Sequence, residues 1–460
     1  MAKVSVMTGK TNLFILIAVM VSSFLTPFTG SALTLSLPDM GQEFGIGPSK
    51  LSWVIEVYLL ASLVVLLPMG RAADHFGKRK LFLCGNGLFT VAAVAAPFLP
   101  GFAGLLLARA VQGLGSAMVF ATGMAILSMA YQGERRGWAL GWNVSTVYVG
   151  LSLGPVLGGF LNHYAGWHSI FYVISLFGLL SLVLGWRYIP ESYGSQQREG
   201  ADWLGIALYG VSMLLLMIGL AEITASAWGA PLMAVGLAGV LLLLRYEAGQ
   251  PEARAVIPVQ LLRTNRLFAM SSLTAMLNYG ATFAISFLLS LYLQYVLGMS
   301  SDEAGLVLLL QPLLMAVLSP WTGRMSDKYS PAYLCAAGMG MITMGMALLA
   351  AVLHIKSIYL VLPLTALIGT GFSFFSAPNN NAVMSSVEKG QYSLAASMLS
   401  TVRMLGQNIS MALAALLIAS PMPETATAEA LLPDLEIAFA VFAAICAAGI
   451  CTSLVRNKKA

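Results

Sequence analysis

A chain of 460 residues that is 58% hydrophobic and 9% charged cannot give a soluble domain of that size its charged surface. Its mean hydropathy of +0.83 fits long apolar runs between short polar breaks, the pattern of a polytopic α-helical membrane protein. The alternating ten-residue segments of a β-barrel are absent, and the formal charge of +5 matters less than its placement.

Lys3 and Lys10 precede an apolar run too long for a signal-peptide core, which reads as an uncleaved first span over 12–34. Breaks at Gly, Pro and charge clusters predict five more spans, at 50–70, 80–99, 102–130, 137–162 and 167–188. A hairpin follows at 202–222 and 228–245, then spans at 267–293, 302–323, 332–353, 357–377, 394–419 and 435–455. With the N-terminus cytoplasmic, 20 of the 24 Lys and Arg fall on the cytoplasmic side. Lys50 and Lys356 fall outside, and Arg109 and Arg403 lie within spans. Both termini are then cytoplasmic, with Ser195 inside and Thr425 outside. The predicted architecture is all-α: a six-helix bundle over 1–190, a linker with two extra helices over 191–250, and a six-helix bundle over 251–460. Related six-helix halves place a substrate site near the midplane.

Charge concentrates in GRAADHFGKRK, from Gly70 to Lys80, after span two. Gly70 and Gly77 permit a tight reversal, Asp74 can cap a helix N-terminus, and Lys78, Arg79 and Lys80 hold the loop in the cytoplasm. A purely topogenic basic loop is the plainer alternative. A weaker copy, GRMSDKYS, carries Gly323 and Asp327 after span ten, with Ser330 in the place of Gly77. With the hairpin removed, span ten is counted as fourth in its half, out of strict register with the first copy.

Span four, with ARAVQGLGSA, places Arg109 in the hydrocarbon layer, at a cost of about 2.5–3.5 kcal/mol unless it faces a partner or a cavity. Span five contains GLSLGPVLGG, where Gly150, Gly154, Gly158 and Gly159 allow close helix approach and Pro155 permits a kink. Packing alone also accounts for these glycines.

The loop, the span-four arginine and the span-five glycines together resemble the signatures of the major facilitator superfamily. With fourteen spans, the chain is similar to the drug:proton antiporter group within it. WVIEVYLLASLVVLLPMG, YLQYVLGMSSDEAG and STVRMLGQNIS carry the same resemblance. It implies a proton-coupled exporter of lipophilic or amphiphilic compounds that acts by alternating access in the cell membrane, without a cofactor. Its partners would be a small-molecule substrate, protons and the bilayer, with no nucleic acid, and the chain would act as a monomer. A transporter of one specific metabolite, anionic or neutral, and a non-transporting membrane sensor are the alternatives. The group usually carries an aspartate late in span one, nine residues before a proline, where this chain has Thr29.

Glu56 is the only acidic residue well inside a predicted span. At 1.5 Å per residue, Thr29 lies about 12 Å, Glu56 about 8 Å and Arg109 about 10 Å from the outer helix ends. A shift of the proton-carrying acid to Glu56, poised between desolvation and Arg109, is therefore expected. A static Glu56–Arg109 pair is the alternative. Arg403 lies near the midplane, with Gln407 one turn on, and either holds helices together or binds an anionic group. Further cavity candidates are Tyr58, Asn86, Gln112, Asn143, Tyr148, Asn278, Gln311 and Asn379, with 25 Met residues as adaptable lining. Cys84, Cys335, Cys446 and Cys451, all in apolar runs, read as small hydrophobes, and no metal site, enzymatic constellation or ATP-binding loop is present.

Overall fold

The computed structural model describes residues 9–456 except 35, 47–50, 52, 192–201, 224–225, 252–253 and 419–427. Ser195, Thr425 and most of the polar stretch after Ile189 lie outside the described residues. Thirteen helices among the described residues are long and apolar enough to cross a membrane. Their outward faces carry exposed Val91, Leu107, Val156, Phe160 and Leu176. Such residues are stable on a surface only when it meets lipid.

The chain divides into two units, one of residues 1–202 with 387–398 and the other of residues 203–386 with 399–460. The first unit holds α1 (Gly9–Thr34), α2 (Leu37–Phe44), α3 (Trp53–Phe76), α4 (Lys78–Ala95), α5 (Gly101–Ala130), α6 (Arg136–Ala165) and α7 (His168–Tyr188). Here α1 packs on α6 and α7, α3 and α4 pack on α5, and α4 packs on α7. Helix α2, unforeseen from the sequence, is a short helix between the first two spans. It is tied by Trp167 Nε1 donating to Glu43 (2.7 Å) and by Asn162 donating to Asp39.

The second unit begins with the hairpin of α8 (Trp203–Ala221) and α9 (Gly229–Glu247). Gly219 and Gly236 let the backbones of the hairpin approach closely. Then come α10 (Val259–Thr264), α11 (Arg266–Thr282), α12 (Ile285–Leu291), α13 (Ser301–Lys328), α14 (Pro331–Val352) and α15 (Ile358–Ser385). Helix α16 (Tyr392–Leu417) divides between the units, and α17 (Ala428–Val455) closes the chain.

Two spans carry features that hydropathy does not announce, and one expectation needs correction. Span nine is broken: α11 stops at Thr282, and α12 passes into a π-helical turn at Tyr292–Val296. The backbone N–H of Ala284, freed by the break, donates to Ser410 Oγ (3.1 Å), which makes the interruption tolerable in an apolar setting. Span thirteen, α16, is polar for a crossing: it carries Arg403, Gln407 and Asn408, and it buries Ser393, Ser397, Ser400, Thr401 and Ser410 inside protein. The two Gly-x-x-x-Asp turns are in register. In the second unit α13 and α14 pack on α15, while α11 and α14 pack on α17, repeating the order of α3, α4, α5, α1 and α7. Helix α13 therefore corresponds to α3, second in its set rather than fourth.

Candidate functional site

Arg109 is fully buried in the first unit. Its Nε donates to the carbonyl of Val54 (2.8 Å), and its Nη1 donates to Gln112 Oε1 (2.8 Å). Its guanidinium carbon lies 4.4 Å from the centre of the Tyr58 ring, a cation–π contact strengthened by exclusion of water. The Tyr58 hydroxyl donates to Ser116 Oγ (2.8 Å), and Thr26 stands 3.4 Å from the same oxygen. Three helices, α1, α3 and α5, thus converge on one polar cluster. Two buried donors in it, Arg109 Nη2 and Gln112 Nε2, have no partner. Ser116 was missed in the sequence, although Arg109, Gln112 and Ser116 form one stripe along α5 at helical spacing.

Glu56 does not join this cluster. Val54 and Tyr58, four residues apart, occupy the face of α3 that meets Arg109, so Glu56, midway between them, points about 200° away. It is half-buried, and among the described residues it forms neither an ion pair nor a hydrogen bond. The static Glu56–Arg109 pair is absent, and Glu56 is not the sole buried carboxylate. Glu247 is 1% exposed and accepts from the backbone N–H of Val256 (3.1 Å), and the Asp74 side chain is 8% exposed. Arg109 meets α3 at Val54 and Tyr58, on either side of Glu56, so the two share a level along α3 but not a direction around it.

Thr29, at the position of the expected aspartate, is buried, with its hydroxyl donating to Leu25 O (2.6 Å). Phe24, Ser31 and Ala32 lie on another face of α1, which crosses α6. There a Cβ on Gly150 would meet Phe24 O at 2.6 Å, one on Gly154 would overlap Ser31, and one on Gly158 would meet Ala32 O at 2.7 Å. Pro155 lies within α6 and is half-buried, as is Gly159. The glycine series thus serves a close helix crossing.

In the loop, Gly77 has φ +106°, a conformation that favours glycine. Asp74 accepts from the backbone N–H groups of Ser393 (3.2 Å) and Leu394 (2.9 Å), at the start of α16, and pairs with Lys78 at 2.6 Å. A carboxylate there is favoured by the positive end of the helix dipole. Lys78 is buried in this pair rather than displayed to the cytoplasm. Gly70 is a further fixed point, because a Cβ there would sit 2.9 Å from Ser393 O. Arg79 pairs with Glu191 (2.6 Å) and donates to Trp186 O (2.8 Å), joining the loop to the end of α7.

The second copy is built differently. Ser330, in the place of Gly77, has φ −58° and is followed by Pro331 at the first position of α14. Asp327 accepts from Asn381 Nδ2 at 3.4 Å, and Ser326 Oγ donates to Gly323 O (2.6 Å).

The remaining candidates separate. In the first unit Asn143 is buried with Oδ1 unpartnered, Tyr148 is buried, and Asn86 Oδ1 accepts from Ser22 (2.8 Å). In the second unit Asn278 is fully buried with both amide atoms unpartnered. Gln311 is buried, Arg403 and Gln407 are half-buried, and Asn379 accepts from Arg456 Nη1 (2.9 Å). Arg456, a buried cation missed in the sequence, also donates to Ser271 (3.1 Å) and to the carbonyl of Pro331 (2.5 Å). It gathers the ends of α11, α14, α15 and α17.

With two sets of helices in one packing order, a buried arginine and a capped loop on the page, comparison with known proteins is decisive. The family model described as Major Facilitator Superfamily matches residues 19–411, with a second match over 271–458. The chain belongs to the major facilitator superfamily. It is a multi-pass membrane transporter, not an enzyme. It is 26% identical over 405 residues to the riboflavin transporter RibZ of Clostridioides difficile, covering 88% of this chain and 87% of that protein. It is 29% identical over 407 residues to the multidrug resistance protein Stp of Mycobacterium tuberculosis, covering 88% and 75%. The crystal structure of the human organic anion transporter MFSD10 matches with a TM-score of 0.70 over 96% of this chain and 99% of that one, at 15% identity. That likeness identifies the facilitator fold.

Proposed function

We propose that this transporter is a proton-coupled exporter of lipophilic or amphiphilic compounds in the cell membrane, with both termini cytoplasmic, working by alternating access. The carrying observation is Glu56, a half-buried carboxylate in the first turn of a membrane-spanning helix, with no partner among the described residues. A static salt bridge would hold its charge fixed. A carboxylate without one gains and loses a proton as its access to water changes. Arg109 of α5 packs on the opposite face of α3, so it does not fix the charge of this carboxylate by direct contact. In this reading Asp74 and the loop govern the conformational cycle, and substrate meets the buried polar groups near the midplane. The relative Stp, named for multidrug resistance, supports a broad apolar substrate range, and 25 methionines supply adaptable surface.

The test is purified protein in liposomes, with uphill movement of a lipophilic dye driven by an imposed pH gradient. Glu56→Gln should abolish uncoupler-sensitive export while leaving dye binding intact. Normal uphill transport by this variant would place the proton elsewhere. A second reading, one specific metabolite, is supported by the spare buried donors Arg109 Nη2 and Gln112 Nε2, which suit an acceptor-rich or anionic group, and by the relative named for riboflavin. A panel of cationic, neutral and anionic substrates separates the two.

A further inference from the structure

One cavity in the first unit is far from the Arg109 cluster and plays no part in the transport reading. It opens where the start of α1 meets the turn between α5 and α6, has a volume of about 370 Å³, and is lined by Asn12, Leu13, Tyr131, Gln132, Arg135 and Trp138. That volume falls within the range of small-ligand sites.

Its chemistry is uneven in a useful way. Asn12 Nδ2 donates to Ala130 O (3.2 Å), which fixes the amide and leaves Oδ1 as a buried acceptor with no donor. Arg135 is exposed and forms no ion pair among the described residues. Tyr131 and Trp138, with ring centres 5.8 Å apart, form one wall. Aromatic rings of this kind settle at the level of lipid headgroups. Leu13, half of whose surface is open, continues the lining along α1 towards the apolar belt.

We propose that this cavity binds the headgroup of an anionic, hydroxyl-bearing phospholipid, phosphatidylglycerol. Arg135 takes the phosphate, a headgroup hydroxyl donates to Asn12 Oδ1, Tyr131 and Trp138 flank the glycerol, and the acyl chains run past Leu13. The positive lining selects an anionic over a zwitterionic headgroup, and the unfilled acceptor selects one that carries a donor. Assignment to the inner leaflet rests on the topology proposed above. The binding does not, so the two fail separately.

The test is native mass spectrometry of the full chain in detergent, titrated with phosphatidylglycerol or phosphatidylethanolamine. Phosphatidylglycerol should bind at least several-fold more tightly. Arg135→Gln should weaken it on the order of fivefold, the contribution of one basic side chain to anionic-lipid attraction. Asn12→Asp, which puts a negative charge beside the phosphate, should weaken it further, and the exposed control Arg263→Gln should have no effect. Equal binding of the two lipids, or unchanged binding by both cavity variants, overturns the proposal. Displacement by free glycerol phosphate at the same concentration as the lipid also overturns it, since the cavity would then serve a soluble phosphoester.

Discussion

Arg109 spends two of its nitrogens on a backbone carbonyl and an amide, and its charge on a ring face. Lysine has a single ammonium and no planar fork, so it cannot supply two separated donors from a plane stacked on Tyr58. Arg109→Lys should therefore cost roughly 1.5–3 kcal/mol, the range of a hydrogen bond to a charged group, despite keeping the charge. Thermal unfolding in detergent would register the loss, and substrate-binding assays would show whether the cluster also contacts cargo. Asp74 allows a sharper experiment. Asp74→Asn leaves Lys78 buried without its counter-ion, a change in the class that costs about 3–5 kcal/mol. Adding Lys78→Met removes the stranded charge and should restore much of the stability. Transport by the double variant should stay slow, because the neutral amide holds the start of α16 less firmly, whereas substrate affinity stays near wild type. Recovery of both stability and transport would show that the carboxylate acts only as a partner for Lys78.

Close approach is the rule where helices cross. At the crossing of α1 and α6, a Cβ on Gly158 would meet the Cα, Cβ and carbonyl oxygen of Ala32 at 2.6–2.7 Å. Backbone cannot swing aside as a side chain can, so Gly158→Ala should destabilise by about 1–3 kcal/mol. Gly30→Ala, with nothing within 4 Å, is the matched control and should be near neutral. Melting temperatures of the two variants decide the point. The break between α11 and α12 makes a complementary case. Ser410→Ala strands the N–H of Ala284, and an unsatisfied buried donor costs about 1–3 kcal/mol. These crossings also show what was readable beforehand. The glycine series of span five was visible as spaced small residues, and its packing role follows from spacing alone. The break at Ala284 was not visible, because no proline marks it and its support comes from a serine 126 residues later.

At the level of the whole chain, the proposed topology is open to direct labelling. In a cysteine-free background, a cysteine at the exposed position 135 should react with a membrane-impermeant thiol reagent only after the cells are opened. One at exposed position 356 should react in intact cells. External labelling at 135 would invert the proposed orientation. The repeat of packing order in the two units gives this molecule-scale picture its physical basis. The order of α3, α4, α5, α1 and α7 recurs in α13, α14, α15, α11 and α17, so one packing problem is solved twice.

Hydropathy is a local property, so the sequence by itself determined the spans, the basic bias of one side, the loop motif and the buried arginine. Each can be read within a window of about 20 residues, the length the bilayer demands. Tertiary structure decided what depends on direction and on distant neighbours. Rotation about α3 separates Glu56 from Arg109, although both lie at similar depth. The partner of Asp74 is the start of a helix 319 residues further along the chain. The polarity of α16 makes sense only because protein rather than lipid surrounds its serines. Depth follows from counting residues at 1.5 Å each, whereas azimuth and pairing follow from which faces pack together, and no one-dimensional pattern contains that choice.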